Sequence, residues 1–157
     1  MIIKGVNPET NEEFQEEKNT VDREFVDWAS VFEMTDEKIK KMIDNLDISA
    51  DSKSLIYSFS KATIVAGEFV IKIGRKIVDF ICRLFIDFPN VSFGMIFGAI
   101  AGFLVGAIPV LGVVLGPLLA PILVGFGLVL GLNEDIKDKA LSRKIAEING
   151  QFTSLHA

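Results

Sequence analysis

The chain has 157 residues and a formal net charge of −5, which suits one domain with its own core and is too short for two comfortable ones. Residues 1–60 carry 14 acidic and 7 basic side chains, which argues against a nucleic-acid-binding protein because phosphates require a basic surface. Cys82 is the only cysteine, so no internal disulfide can form.

Residues 1–51 are predicted to form an acidic, helical N-terminal region. Within it, the glutamate-rich residues 1–18 are expected to be mobile or frayed. Two short helices follow, near residues 21–34 and 36–46, and Thr35 is the expected N-cap of the second. The first of them places these hydrophobic side chains on one face: Val21, Phe25, Trp28 and Phe32.

Residues 52–89 are predicted to form an amphipathic region, as one long helix or two in tandem. Its charged side chains project within a narrow stripe, and the rest of the surface is apolar. A wide apolar face can lie in a membrane interface or cover an apolar hairpin before insertion. The stripe consists of Glu68, Lys72, Arg75, Lys76, Asp79 and Arg83.

Residues 90–132 have no charged side chain, since none lies between Asp87 and Glu134. A run of more than about 40 such residues is right for two membrane spans of about 20 residues each. We therefore predict a transmembrane or re-entrant helical hairpin, with burial inside a soluble protein as the alternative. Ser92 is the expected cap of its first helix. The turn and the kinks of the second arm are assigned to Pro109, Gly112, Pro117 and Pro121.

Glycines recur every four residues in this hairpin, in a pattern that resembles a glycine zipper. Faces without side chains let helix backbones approach closely, which predicts packing against the second arm or against another copy of the chain in a homo-oligomer. The predicted packing residues are Gly94, Gly98, Gly102, Gly106, Gly112, Gly116, Gly127 and Gly131.

Basic residues flank the hairpin on both sides, and residues 133–157 are predicted to form a C-terminal amphipathic helix and tail. By the positive-inside rule, both flanks stay cytoplasmic, which predicts localisation at the cytoplasmic membrane with the lipid bilayer as partner. The predicted membrane-interface charges are Lys72, Arg75, Lys76, Arg83, Lys137, Lys139, Arg143 and Lys144.

No catalytic constellation is recognisable in the sequence, so we expect a protein that is not an enzyme and has no cofactor and no metal site. The only histidine, His156, is expected to be solvated, and a single His with a single Cys gives no usual zinc site.

The stretch Gly125-Phe126-Gly127-Leu128-Val129-Leu130-Gly131, followed by Asp135-Ile136-Lys137-Asp138-Lys139, resembles the carboxyl-terminal hydrophobic hairpin region of colicin-type pore-forming domains. The resemblance covers residues 94–149. It implies insertion of a hairpin followed by membrane permeabilisation, as in a toxin or a defence effector.

Together these patterns predict an all-α, membrane-associated protein with a central glycine-rich hairpin between amphipathic helices. The first functional hypothesis is a pore-forming or membrane-permeabilising effector that self-associates through its glycines. The second is a non-catalytic, hairpin-anchored membrane protein whose acidic N-terminal region binds a protein partner. A third is a soluble helical protein that hides its hairpin in a dimer.

Overall fold

The computed structural model of the protein describes residues 1–126 and 138–156. Among these residues, two strands are followed by three helices and two further strands, and the elements from residue 73 onwards are helical. The elements are β1 (Ile2–Val6), β2 (Glu13–Glu17), α1 (Arg23–Ala29), α2 (Asp36–Asp44), α3 (Ala50–Ser60), β3 (Ile64–Ala66), β4 (Phe69–Ile71), α4 (Ile73–Asp87), α5 (Phe93–Phe97), a π-helical turn (Gly98–Gly102), α6 (Phe103–Ala107), α7 (Pro109–Gly125), α8 (Lys139–Gln151) and a 3₁₀ turn (Thr153–Leu155).

The four strands form one antiparallel sheet in the order β2-β1-β3-β4, so the predicted all-α fold is wrong. Residues 1–18, expected to be mobile or frayed, supply β1 and β2 instead. Alternate residues of β1 are buried, and Asn7 closes the turn by accepting hydrogen bonds from the backbone amides of Glu9 and Thr10. The glutamates that suggested disorder lie in and around β2, an edge strand, where charged side chains discourage pairing with other chains.

The predicted amphipathic region divides into α3, a short hairpin of β3 and β4, and α4. The turn of this hairpin contains Gly67, whose φ of +61° is a conformation that glycine adopts without steric cost. Strands of three residues are too short to show a period of two in the sequence, which explains why helical periodicity dominated the prediction.

The uncharged segment folds into two antiparallel arms. α5, the π-helical turn and α6 follow one another without a break as the first arm, and Ser92 caps α5 by accepting a hydrogen bond from the Met95 amide, as predicted. The chain turns at Ile108, which is extended, and α7 starts at Pro109. Proline is tolerated there because the first helical N–H groups have no partner within the helix.

Both arms pack into the core of the protein. α7 lies against α3, α6 and β1, and the side chains of Val110 and Val114 come so close to Gly5 that a Cβ there would lie 2.4 Å from Val114 Cγ2. The rings of Phe59 in α3 and Phe97 in α5 meet edge to face, with centroids 5.3 Å apart.

Among residues 1–126 and 138–156, no helix is both long enough and apolar enough to cross a membrane. The longest of the uncharged helices, α7, has 17 residues, fewer than the roughly 20 that a bilayer requires. This finding corrects the predicted transmembrane hairpin and the predicted membrane localisation.

Candidate functional site

The glycines predicted to share one packing face have different surroundings in the structure. A Cβ built on Gly94 would meet the Phe126 ring at 2.8 Å, and one on Gly112 would lie 3.3 Å from the Val105 carbonyl oxygen of the other arm. At Gly102, Gly106 and Gly116, by contrast, it would meet nothing within 4 Å in the part of the chain that the structure describes. One reason is the π-helical turn, whose different period rotates the residues after it. Gly98 lies at the start of that turn, and Gly127 and Gly131 are outside the described residues.

Only one of the four predicted turn residues lies at the turn between the arms, and that is Pro109. Gly112, Pro117 and Pro121 are inside α7. The absence of an N–H at the two internal prolines therefore does not delay the helix, because α7 runs from Pro109 to Gly125.

The predicted membrane-interface charges do not share a surface. Lys76 is buried, whereas Lys72 and three basic residues of α8 are exposed. The α8 residues are Lys139, Arg143 and Lys144, and Lys137 is outside the described residues.

The charged face of α4, defined as Arg75, Lys76, Asp79 and Arg83, points into the protein rather than towards solvent. Lys76 is 6% exposed and Asp79 is 2% exposed. Helical spacing places the four residues on one side of α4, which faces the loop of residues 30–35 between α1 and α2.

This face holds the 30–35 loop in place. The Lys76 ammonium donates to the carbonyl oxygens of Trp28 and Val31, at 3.1 and 2.5 Å. The Glu33 amide donates to Asp79 Oδ2 at 3.1 Å. Charged groups thus substitute for the backbone hydrogen bonds that a loop cannot make within itself.

The two outer arginines extend the same contacts. Arg75 donates to the Met34 carbonyl oxygen at 3.1 Å and stacks over the Phe32 ring, 4.3 Å from its centroid. Arg83 forms an ion pair with the Glu33 carboxylate. The loop is therefore fixed to α4 along its whole length.

Aromatic rings surround the buried ammonium. Lys76 Nζ lies 4.7 Å from the Trp28 ring centroid and 5.2 Å from that of Phe80, distances at which the ring faces attract a cation. Phe152 packs edge to face on Trp28 with centroids 5.3 Å apart, so the segment after α8 closes this side.

Burial shifts the titration of both interior charges. Loss of water lowers the pKa of Lys76, and the carboxylates of Asp79 and Glu33 only partly oppose this effect. Burial likewise raises the pKa of Asp79, against the hydrogen bond from the Glu33 amide and the positive charges of Arg83 and Lys76. Perturbed groups of this kind concentrate at functional sites, although structural ion pairs also produce them.

A cavity of about 450 Å³ opens beside these residues, between the 30–35 loop, α4 and α8. We name it the Trp28 cavity. Its interior wall includes Trp28, Lys76, Asp79, Phe80 and Arg83, and its rim includes Glu33, Asp87, Lys144, Glu147 and Gln151.

Two buried polar atoms at this cavity lack a hydrogen-bond partner among the described residues: Asp79 Oδ1 and Arg83 Nε. They face each other as an ion pair at 3.6 Å, which is too far for a hydrogen bond, and neither atom is exposed to water. One is an acceptor and the other a donor, so a carboxamide or a hydroxyl group, which both donates and accepts, can satisfy both.

Two other reactive side chains lie elsewhere. Cys82 is buried, which raises the pKa of its thiol to about 12 and keeps it protonated at neutral pH. His156, predicted to be solvated, is half-buried with its ring centroid 6.1 Å from that of the exposed Phe103.

This site is not evident from the sequence, because a narrow charged stripe on an otherwise apolar helix indicates a face towards solvent or a membrane interface. The signal available was the spacing of Lys76, Asp79 and Arg83 next to Phe80, with Trp28 on another helix. Spacing gives the face that charges share, but it does not show what packs on that face.

Comparisons with known proteins leave the site to be interpreted from its own chemistry. No protein-family model, no curated protein and no solved structure matches the chain. The colicin-like resemblance therefore stays a prediction.

Proposed function

We propose that the protein is a non-catalytic binding module, and that its Trp28 cavity receives an uncharged polar group of a partner molecule. The observation that carries this proposal is the Asp79–Arg83 ion pair in the cavity wall, whose acceptor and donor lie 3.6 Å apart and make no hydrogen bond among the described residues. A buried polar group without a hydrogen bond costs about 1–3 kcal/mol, and the ion pair offsets part of this cost, so a ligand that hydrogen-bonds to both groups gains the remainder on binding.

The rigid support of the cavity favours this reading. Five interactions of α4 with the 30–35 loop and with Trp28 fix one wall before any ligand arrives. A site whose side chains are already held in place loses little conformational entropy when it binds.

Binding fits the site better than catalysis does. The Lys76 ammonium, the buried base with a lowered pKa, is engaged by two carbonyl oxygens and by aromatic rings. Its hydrogen bonds to the Trp28 and Val31 carbonyl oxygens already use two of the three donors of the ammonium. The position of Lys76 therefore indicates a structural role.

The earlier expectation of a pore-forming effector depended on a membrane-spanning hairpin, and that hairpin is corrected above. The second hypothesis had two parts, anchoring by a hairpin and binding of a protein partner. Our proposal retains the binding of a partner, and it assigns this binding to the Trp28 cavity.

Trp28 is the only tryptophan, so its indole gives a single side-chain NMR signal at the cavity wall. We expect N-methylacetamide, titrated into ¹⁵N-labelled protein, to shift this signal saturably, whereas acetate does not. Arg83→Lys keeps the positive charge but removes the Nε donor, and it is expected to weaken the amide's affinity by about tenfold, the equivalent of one hydrogen bond.

Arg143→Lys is the matched control, because it makes the same change on an exposed residue of α8 that does not line the cavity. Its affinity for the amide should equal that of the wild type. An indole signal that does not move, or equal weakening by both variants, rejects the proposal.

A further inference from the structure

A second cavity of about 450 Å³ adjoins the Trp28 cavity. It lies between the start of α1 and the end of α8, and its wall includes Thr20, Asp22 and Glu24. We name it the Asp22 cavity. Trp28 and Gln151 contribute to the walls of both cavities, so an extended ligand can pass from one to the other across these two residues.

Acidic side chains predominate along this path. The Asp22 cavity has two acidic residues and no basic residue in its wall. The Trp28 cavity has four acidic and three basic residues, but Lys76 is turned towards the loop carbonyls and Arg83 is paired with Glu33. The exposed acids along the path are Asp22, Glu24, Glu33, Asp87 and Glu147, and the exposed base is Lys144.

This arrangement suits organic cations better than a metal ion. In the part of the chain that the structure describes, no three His, Cys, Asp or Glu residues come together as a metal site. The acids are instead spread over two cavities, so a ligand that contacts all of them needs several positive charges that are separated from one another. A polypeptide with several basic side chains carries separated positive charges of this kind.

The backbone of a polypeptide also matches the interior of the Trp28 cavity. A peptide group has an N–H donor and a C=O acceptor, which are the complements of Asp79 Oδ1 and Arg83 Nε. A polyamine or a free basic amino-acid side chain has the cationic groups but not this pair.

We propose that the partner is a basic peptide segment, which crosses from the Trp28 cavity to the Asp22 cavity. A peptide group binds Asp79 and Arg83, and flanking lysine or arginine side chains lie against Glu147, Asp87 and Glu24. This inference rests on the proposed function and adds the chemical class of the partner.

The test is a titration followed by the fluorescence of Trp28. The probe is an acetylated, amidated nine-residue peptide in which lysine alternates with alanine, and matched peptides carry glutamine or glutamate in place of lysine. We expect the lysine peptide to bind at least tenfold more tightly than the glutamine peptide at low salt, and the glutamate peptide not to bind. Raising the ionic strength should weaken binding because these charges are exposed.

Charge reversals locate the interaction. Glu147→Lys and Glu24→Lys change exposed residues of the two cavities, and each is expected to weaken binding of the lysine peptide about threefold to tenfold. Glu12→Lys makes the same change of net charge at an exposed residue that lines neither cavity, and should have little effect.

Equal weakening by all three variants means general attraction to an acidic protein and overturns the inference, as does equal affinity for the lysine and glutamine peptides. The two proposals fail separately. If N-methylacetamide binds at Trp28 and the lysine peptide does not, this inference fails while the proposed function stands; if N-methylacetamide does not bind, the proposed function fails.

Discussion

The uncharged helices α5 to α7 and the charged face of α4 both lie in the interior, but different forces keep them there. The helical arms bury aliphatic and aromatic side chains, whose contribution depends on the area removed from water and not on direction. The charged face buries an ammonium and a carboxylate that are stable only while their hydrogen bonds persist. The uncharged helices should therefore tolerate small substitutions at their surface, whereas the charged face of α4 should tolerate few substitutions of any kind.

The largest difference is expected between two glycine-to-alanine changes, one in α4 at its contact with α3 and one in α7. At Gly74 in α4, a Cβ would lie 1.9 Å from the Phe59 carbonyl oxygen, whereas at Gly116 in α7 it would meet nothing within 4 Å. Gly74→Ala should lower the free energy of unfolding by at least about 3 kcal/mol, because backbone must move to relieve the clash. Gly116→Ala should raise it by about 0.5–1 kcal/mol through helix propensity. Urea denaturation measures both, and a harmless Gly74→Ala would contradict the close approach of α3 and α4.

Removal of the buried carboxylate is expected to have the next largest effect. Asp79→Ala leaves the Glu33 amide without its acceptor and removes the carboxylate that most favours the charged form of Lys76, at a cost of about 2–3 kcal/mol. The double variant Lys76→Met with Asp79→Leu should cost less than the sum of the two single changes, because it leaves no unpaired charge. Additive values in a double-mutant cycle would show that the two charges are not coupled.

A smaller effect should appear in the pH dependence of stability. The pKa of Asp79 is raised in the folded protein, so between its unfolded value of 3.8 and its folded value the folded state binds the extra proton. Lowering the pH through this window should therefore stabilise the wild type relative to Asp79→Asn. Burial is the main cause of the raised pKa of Asp79, and the Glu33 amide and the charges of Arg83 and Lys76, which face the same carboxyl group, oppose it. Urea denaturation of both proteins from pH 7 to pH 4 measures the difference, and a constant difference would contradict the shift.

The smallest effect on stability is expected at the open glycines of the first arm. Self-association through glycine-lined helices stays a prediction, and Gly102 and Gly106 are suited to test it because a Cβ there meets nothing within 4 Å among the described residues. Gly102→Leu with Gly106→Leu should abolish oligomers in sedimentation experiments while the unfolding midpoint changes little. Arg143→Leu adds an apolar side chain on exposed α8 and serves as the control. Oligomers that persist in the glycine variant would reject the predicted interface.

Local signals in the sequence predicted several elements correctly. Thr35 caps α2 by accepting a hydrogen bond from the Lys38 amide, and the apolar stripe of α8 is buried as expected at Leu141, Ile145 and Ile148. These features depend on residues within one or two turns of each other, which a sequence pattern contains.

Features that depend on distant parts of the chain were not predicted. The pairing of β1 with β3 joins residues more than 60 positions apart, and its strands are short. The uncharged run was assigned to lipid because composition alone does not distinguish a protein interior from a membrane. The candidate site was missed for the same reason, since Lys76 and Asp79 become interior only when the 30–35 loop packs on α4.

The central position of β1 in the sheet has a consequence for how the protein reaches its native state. One edge of β1 pairs with the nearby β2, so that hairpin can form as soon as residues 1–17 are available. The opposite edge, where Ile3 faces Ala66, must wait until β3 has been synthesised. During translation this edge is open to incorrect pairing, and closing so long a loop slows folding. Substitutions at Ile3 or Ala66 should thus alter the rate of refolding as well as the yield of native protein.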